Sequence, residues 1–127
     1  MKRIPALQPL SREHHTALTL AKACERAVQS RNEEQVGKAC QRVIRAFSDE
    51  LEPHFQIEEQ SLLPLLHSVE SKSLEQRTLE DHRQLRALLD GLQQNNVVAL
   101  DSFGKLLMAH VRFEERELFP ALECLLP

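Results

Sequence analysis

One helical phrase occurs twice in this chain. His54-Phe55-Gln56-Ile57-Glu58-Glu59-Gln60-Ser61-Leu62-Leu63-Pro64-Leu65-Leu66 returns as His110-Val111-Arg112-Phe113-Glu114-Glu115-Arg116-Glu117-Leu118-Phe119-Pro120-Ala121-Leu122. The His, both Glu, one Leu, the Pro and the final Leu hold identical positions. The core of each copy is H-x-x-x-E. On an α-helix, residues four apart share a face and lie roughly 6 Å apart along the axis. Each copy therefore points one imidazole and one carboxylate the same way. Two copies facing each other would bring together two ring nitrogens and two carboxylates able to bridge, the makings of a two-metal site.

The rest of the composition agrees with helices. Leu, Ala, Glu, Gln, Arg and His fill the chain, Gly is scarce, Trp and Tyr are absent and β-branched residues are few, so strands are poorly supported. The 127 residues read as one domain spanning 1–127, long enough to bury a core. A formal net charge of −3 and no basic stripe argue against a nucleic-acid partner and give no support to a polybasic membrane contact. No apolar run reaches bilayer length and no apolar segment follows the basic start, so the expectation is a cytoplasmic protein without a membrane partner. Cys24, Cys40 and Cys124 form no C-x-x-C pair and read as free thiols in a reducing compartment, each a small buried hydrophobe.

Periodicity and breakers mark four helical segments. The first runs from about Ser11, a plausible N-cap, to Gln29, with Ala17, Leu20, Ala21, Cys24, Ala27 and Val28 on its apolar face. The second runs from about Glu33 to His67, with a kink predicted at Pro53 and a frayed or kinked end at Pro64. The third spans about Ser73 to Leu92, with Leu79, His82, Leu85, Leu88, Leu89 and Leu92 on one stripe. The fourth begins near Val98 or Asp101 and ends at Leu125, with Phe103, Leu106, Leu107, His110, Phe113, Glu114, Leu118 and Ala121 inside. Short connections make neighbours antiparallel, which predicts an all-α, up-down-up-down four-helix bundle of two similar halves.

The polar residues on these apolar faces carry the chemistry. His14 is in phase with the apolar face of the first helix, whereas His15 drifts to its edge. His82 lies on the leucine stripe, and His67 points elsewhere. Every helix thus contributes one inward histidine, and two also contribute a glutamate. A single H-x-x-x-E is ordinarily an exposed pair, and a single core histidine is ordinarily satisfied by a neighbour. Four imidazoles and two carboxylates converging in a core are different, because burying them with nothing to bind costs several kcal/mol per ionised group, on the order given by transfer estimates. Imidazole with carboxylate suits iron, manganese or zinc. The expected metal residues are His14, His54, Glu58, His82, His110 and Glu114. Glu59 and Glu115, about 100° further round the helix, read as solvated groups or as supports for the ligands. Phe55, Ile57, Val111 and Phe113 read as core packing.

The order H, H-x-x-x-E, H, H-x-x-x-E, with a proline after each phrase, resembles the hemerythrin family in its bacterial HHE cation-binding branch, over nearly the whole chain. It differs from ferritin-like bundles, which use E-x-x-H. The resemblance implies a non-haem centre of two iron ions, with His14 and His54 serving one, His82 and His110 the other, and Glu58 and Glu114 bridging beside an oxo or hydroxo group. The chain departs from the oxygen-carrying members of that family. Those place a second histidine one turn from the first on helix three, where Thr78 and Arg86 flank His82 here. They also end the fourth-helix motif in H-x-x-x-x-D, where this chain has His110-x-x-x-Glu114. The expectation is therefore a di-iron protein that binds or responds to a small diatomic or peroxide ligand (O2, NO or peroxide) rather than an oxygen carrier. The alternatives are iron storage or donation to an acceptor protein, and a di-iron redox enzyme served by a redox partner.

Overall fold

The computed structural model describes residues 3–126. Four helical arms follow one another. α1 is Gln8–Ser30. α2 covers 33–65, α-helical over Glu33–Ala46 and Glu52–Ile57, with wide π-type turns at Phe47–Leu51 and Glu58–Leu62 and a closing 3-10 turn at Leu63–Leu65. α3 covers 72–93, as Lys72–Ala87 and Leu89–Gln93. α4 covers 97–123, α-helical over Val97–Phe113 and Phe119–Glu123 with a π-type turn at Glu114–Leu118 between them.

Cross-helix pairs fix the directions. Arg3, just ahead of α1, meets Glu123; His14 meets Glu114; and Cys24 lies beside Gly104, so α1 and α4 run in opposite senses. Glu52 and Glu59 of α2 meet Arg86 and His82 of α3, and Asp81 and Gly91 of α3 meet His110 and Ala99 of α4. Gly104 permits the close approach of α1, since a Cβ there would lie 2.9 Å from Cys24 Cβ and 3.2 Å from the Ala21 carbonyl. The molecule is the expected all-α four-helix bundle.

The helix ends follow from local chemistry. α1 starts earlier than Ser11, because Pro9 sits in its first turn with its φ already helical; the Ser11 hydroxyl bonds Glu115 instead of capping. Arg31 ends α1 in the left-handed region, at φ 53°, and Asn32 caps α2 by accepting from the Gln35 N–H. Asn96 caps α4 by accepting from Val98 and Ala99.

The prolines produce π-type turns rather than breaks. The residue before Pro53, Pro64 and Pro120 donates its N–H five residues back, to Phe47, Glu58 and Glu114 respectively. An extra residue is thus accommodated ahead of each ring, which lacks a donor and crowds the preceding turn. Two of the three turns open on the paired glutamates, Glu58 and Glu114.

The apolar core falls into two clusters. One, with Leu20, Val43, Phe47, Phe55, Leu85, Phe103 and Leu107, fills the body of the bundle. The other, with Leu7, Leu10, Leu62, Phe113, Leu118 and Phe119, closes one end. Three positions differ from the sequence expectation. Leu79 is 43% exposed, because the buried stripe of α3 runs through Thr78, Asp81, His82 and Leu85. Ile57 is 47% exposed, lying on the outer edge of a helix whose inward residues are His54, Phe55 and Glu58. Cys124 is exposed near the chain end, while Cys24 and Cys40 are buried; all three are free thiols, and burial pushes Cys24 up to about 12.

Candidate metal centre

A polar layer lies within this apolar body, made of the six residues singled out from the sequence. His14, His54, Glu58, His82, His110 and Glu114 are all at most 4% exposed. Their ligand-capable atoms form two overlapping groups, each within 4.8 Å: His14, His54, Glu58 and Glu114 in one, and Glu58, His82, His110 and Glu114 in the other. The glutamates belong to both. His15 is exposed, so the periodicity placed α1 in the right phase.

The geometry of the shared carboxylates is specific. Glu58 Oε2 lies 3.1 Å from His54 Nε2, and its Oε1 lies 3.0 Å from His82 Nε2. Glu114 Oε1 lies 2.8 Å from His14 Nε2, and its Oε2 lies 3.3 Å from His110 Nε2. Each carboxylate therefore gives one oxygen to a histidine of each pair.

The other nitrogen of every ring is held by a second carboxylate. His14 Nδ1 is 2.6 Å from Glu115, His54 Nδ1 is 2.8 Å from Glu13, His82 Nδ1 is 2.6 Å from Glu59, and His110 Nδ1 is 2.9 Å from Asp81. These supports form a closed ring around the bundle. Glu13 on α1 holds α2, Glu59 on α2 holds α3, Asp81 on α3 holds α4, and Glu115 on α4 holds α1. Each support adjoins a central residue in sequence, about 100° round the helix, and so faces the next helix instead of the centre. Glu59 and Glu115 thus act as supports. Glu13 and Asp81 carried a sequence signal, the repeated acid-His pair at Glu13-His14 and Asp81-His82, but each serves the histidine of the following helix. Such outer carboxylates fix the ring orientation and tautomer and raise the basicity of the inner nitrogen.

Three supports are themselves clamped by arginine. Arg3 pairs with Glu115 at 3.3 Å, Arg77 with Asp81 at 3.0 Å and Arg86 with Glu59 at 2.9 Å. Glu13 is 53% exposed and has no lysine or arginine partner among the described residues. Thr78, four residues before His82, is fully buried and donates its hydroxyl to the Leu74 carbonyl. Arg86, four residues after it, is drawn outward to Glu52 and Glu59. Neither supplies a further histidine-like donor.

Charge is tightly managed. Burial opposes the charged form of His54, but the close approach of Glu114, the hydrogen bond with Glu58 and the charges of both carry it up to about 11. His110 rises to about 10 against the same penalty, through the charge of Glu114 and its bond to Asp81. Glu114 is held well below the usual carboxylate range; burial pushes upward, but the charge and close contact of His110, the hydrogen bond with His14 and the nearby His54 ring prevail. Protons thus satisfy part of the layer. They do not satisfy all of it. Glu58 Oε1, His82 Nε2, His110 Nε2 and Glu114 Oε2 are buried without a hydrogen-bond partner; the 3.0 and 3.3 Å contacts between them are close but misaligned. An unmet buried polar atom costs about 1–3 kcal/mol. Nitrogen and oxygen donors converging at these distances are chemically suited to first-row divalent metals, so the clusters are compatible with bound metal ions.

No helix among the described residues is long and apolar enough to cross a membrane. The family model described as the hemerythrin HHE cation binding domain matches residues 6–122. No curated protein and no solved structure gives a significant match.

Proposed function

Because the chain belongs to the hemerythrin family of HHE cation-binding domains, we propose that it is a di-iron protein that binds or responds to O2, NO or peroxide. In this reading His14 and His54 would hold one ion, His82 and His110 would hold the other, and Glu58 and Glu114 would serve both. The observation that carries this reading is the division of each buried carboxylate, one oxygen toward each histidine pair. A bound iron pair supplies open coordination positions and one-electron redox chemistry for a small ligand.

The protein's part is to orient and to exclude. The ring of outer carboxylates holds the imidazoles, and Phe55, stacked on His82 at 3.9 Å, keeps water from one side. Thr78 in place of a second helix-three histidine leaves a poorer donor set than an oxygen carrier has, which favours response or redox chemistry over transport. The test is anaerobic reconstitution with ferrous iron, followed by optical spectra on adding each ligand. Two irons per chain and a ligand-dependent spectrum are expected. Failure to take up two irons, or spectra indifferent to all three ligands, overturns the reading.

Iron handling is the second reading. It is favoured by the cavity of about 180 Å³ beside His14 and His54, which gives one half of the centre a way out. Iron transfer to an apo-acceptor faster than release to a chelator would select it.

A further inference from the structure

The cavity beside His14 and His54 has an uneven lining. Its buried floor includes His14, His54 and His110, and the Nε2 of His110 is one of the unpartnered buried atoms. Its exposed rim carries three carboxylates, Glu13, Asp49 and Glu50, and no lysine or arginine among the described residues lines it. We propose that this cavity is the loading port of the centre, through which a divalent cation is drawn by Glu13, Asp49 and Glu50 and delivered to His54. The proposal rests on the metal-binding reading given above and adds the route and the residues that serve it.

Two independent features point the same way. The first is charge. Three carboxylates around a low-dielectric opening focus a negative field, which concentrates cations, repels anions and is indifferent to a neutral gas. The second is the asymmetry of the supports. The approaches behind His14, His82 and His110 are each capped by a guanidinium, from Arg3, Arg86 and Arg77. A cation arriving from those sides meets a positive charge before it meets a ligand. Only the support of His54 lacks that cap among the described residues. Glu13 already holds His54 Nδ1 at 2.8 Å while remaining half-exposed, so one carboxylate touches both the solvent and a central histidine.

The port has a local cause. Asp49, Glu50 and Leu51 belong to the π-type turn ahead of Pro53, and all four residues line the cavity. α4 has Ala109 where α2 has Pro53, and its helix is regular there.

The test is the rate of Co(II) loading into the metal-free full chain, followed by visible absorbance after rapid mixing. D49N/E50Q leaves the Glu13–His54 bond in place. It should load several-fold more slowly than wild type at low ionic strength and reach the same number of cobalt ions per chain. Adding E13Q should bring the slowing to about tenfold, the low end of what electrostatic focusing supplies, and should flatten the salt dependence. E33Q/E34Q, which removes the same charge from the start of α2, should load at the wild-type rate. The port is overturned if D49N/E50Q loads as fast as wild type, or if E33Q/E34Q slows loading equally. Wild type that takes up no cobalt and no iron would instead remove the metal-binding reading, and the port with it.

Discussion

The two halves of the centre are written by the same phrase and are not alike. His14 and His54 border a cavity, their inner nitrogens are hydrogen-bonded to Glu114 and Glu58, and one of their supporting acids is half-exposed. His82 and His110 are at most 1% exposed, one ring stacked on Phe55 and both supporting acids clamped by arginine; of the two, His110 alone reaches the cavity, at its buried floor. All four unpartnered buried atoms belong to contacts of this second half. A repeated motif therefore sets the buried donors but not their environment. The environment comes from neighbours outside the motif, above all from Pro53, which has no counterpart in α4.

The largest expected effect comes from what the halves share. Glu58→Ala or Glu114→Ala removes one oxygen from each pair at once, so both halves should fail together and the paired centre should be lost. Iron content and the magnetic coupling of the reconstituted protein measure this. Two coupled irons retained in either variant would show that the carboxylates do not bridge.

A smaller effect should separate the halves. Asp81→Asn weakens the support of His110, where the acid is buried and little water can substitute. A loss of metal affinity of about 10–100-fold is expected, the range typical for outer partners of a ligating histidine. Glu13→Gln should cost less at equilibrium, because the support of His54 is already half-hydrated. Competition titrations against a chelator give both numbers. Equal losses would mean that the exposure of Glu13 has no energetic consequence.

The contrast between the central residues and their supports also explains what could be read in the sequence. The six central residues were legible because helical periodicity reports directly which side chains share a face, and the same periodicity gave four helices and their order. The supports were only half legible. Glu59 and Glu115 sit beside central residues, yet whether they reach solvent or a neighbouring ring depends on the helix packed there. The phase of α3 went astray at Leu79 for a related reason. Its buried edge carries Asp81, a polar residue kept inside by His110 and Arg77, and a hydrophobicity pattern assigns such a residue to the outside. The prolines announced a disturbance, but a kink and a π-type turn remove the same clash, and the choice is made by tertiary packing.

Protonation gives a graded comparison in the metal-free protein. His54 and His110 are raised to about 11 and about 10 from 6.5. Each therefore contributes stability that is whole below about pH 6.5 and is lost as the pH rises through the folded value. Both rings should therefore lose their protons only in the strongly alkaline range, near pH 10 to 11. Glu114, held low, acts in the opposite sense, and its contribution is lost on acidification. Urea unfolding of the metal-free chain should show a midpoint that declines across the alkaline range. A midpoint that climbs from neutral pH to pH 10 would mean that these imidazoles are not held by protons.

The finest test acts on the residue that separates the halves. Pro53→Ala makes α2 match α4, which carries Ala109 at the equivalent position. The new N–H can rejoin the helix and the ring no longer crowds the turn before it, so the π-type turn at Phe47–Leu51 loses its local cause. Stability should change by no more than about 1 kcal/mol, because the lost stiffness of proline in the unfolded chain offsets the gained hydrogen bond. The six central residues are untouched, so the variant should take up the same number of metal ions per chain as wild type. What should change is access: as the turn tightens, Asp49 and Glu50 leave the cavity rim and cobalt loading slows. Hydrogen exchange at 47–52 reports the turn, and the loading rate reports the opening. If exchange shows a regular helix while loading keeps its wild-type rate, the difference between the halves does not originate at Pro53.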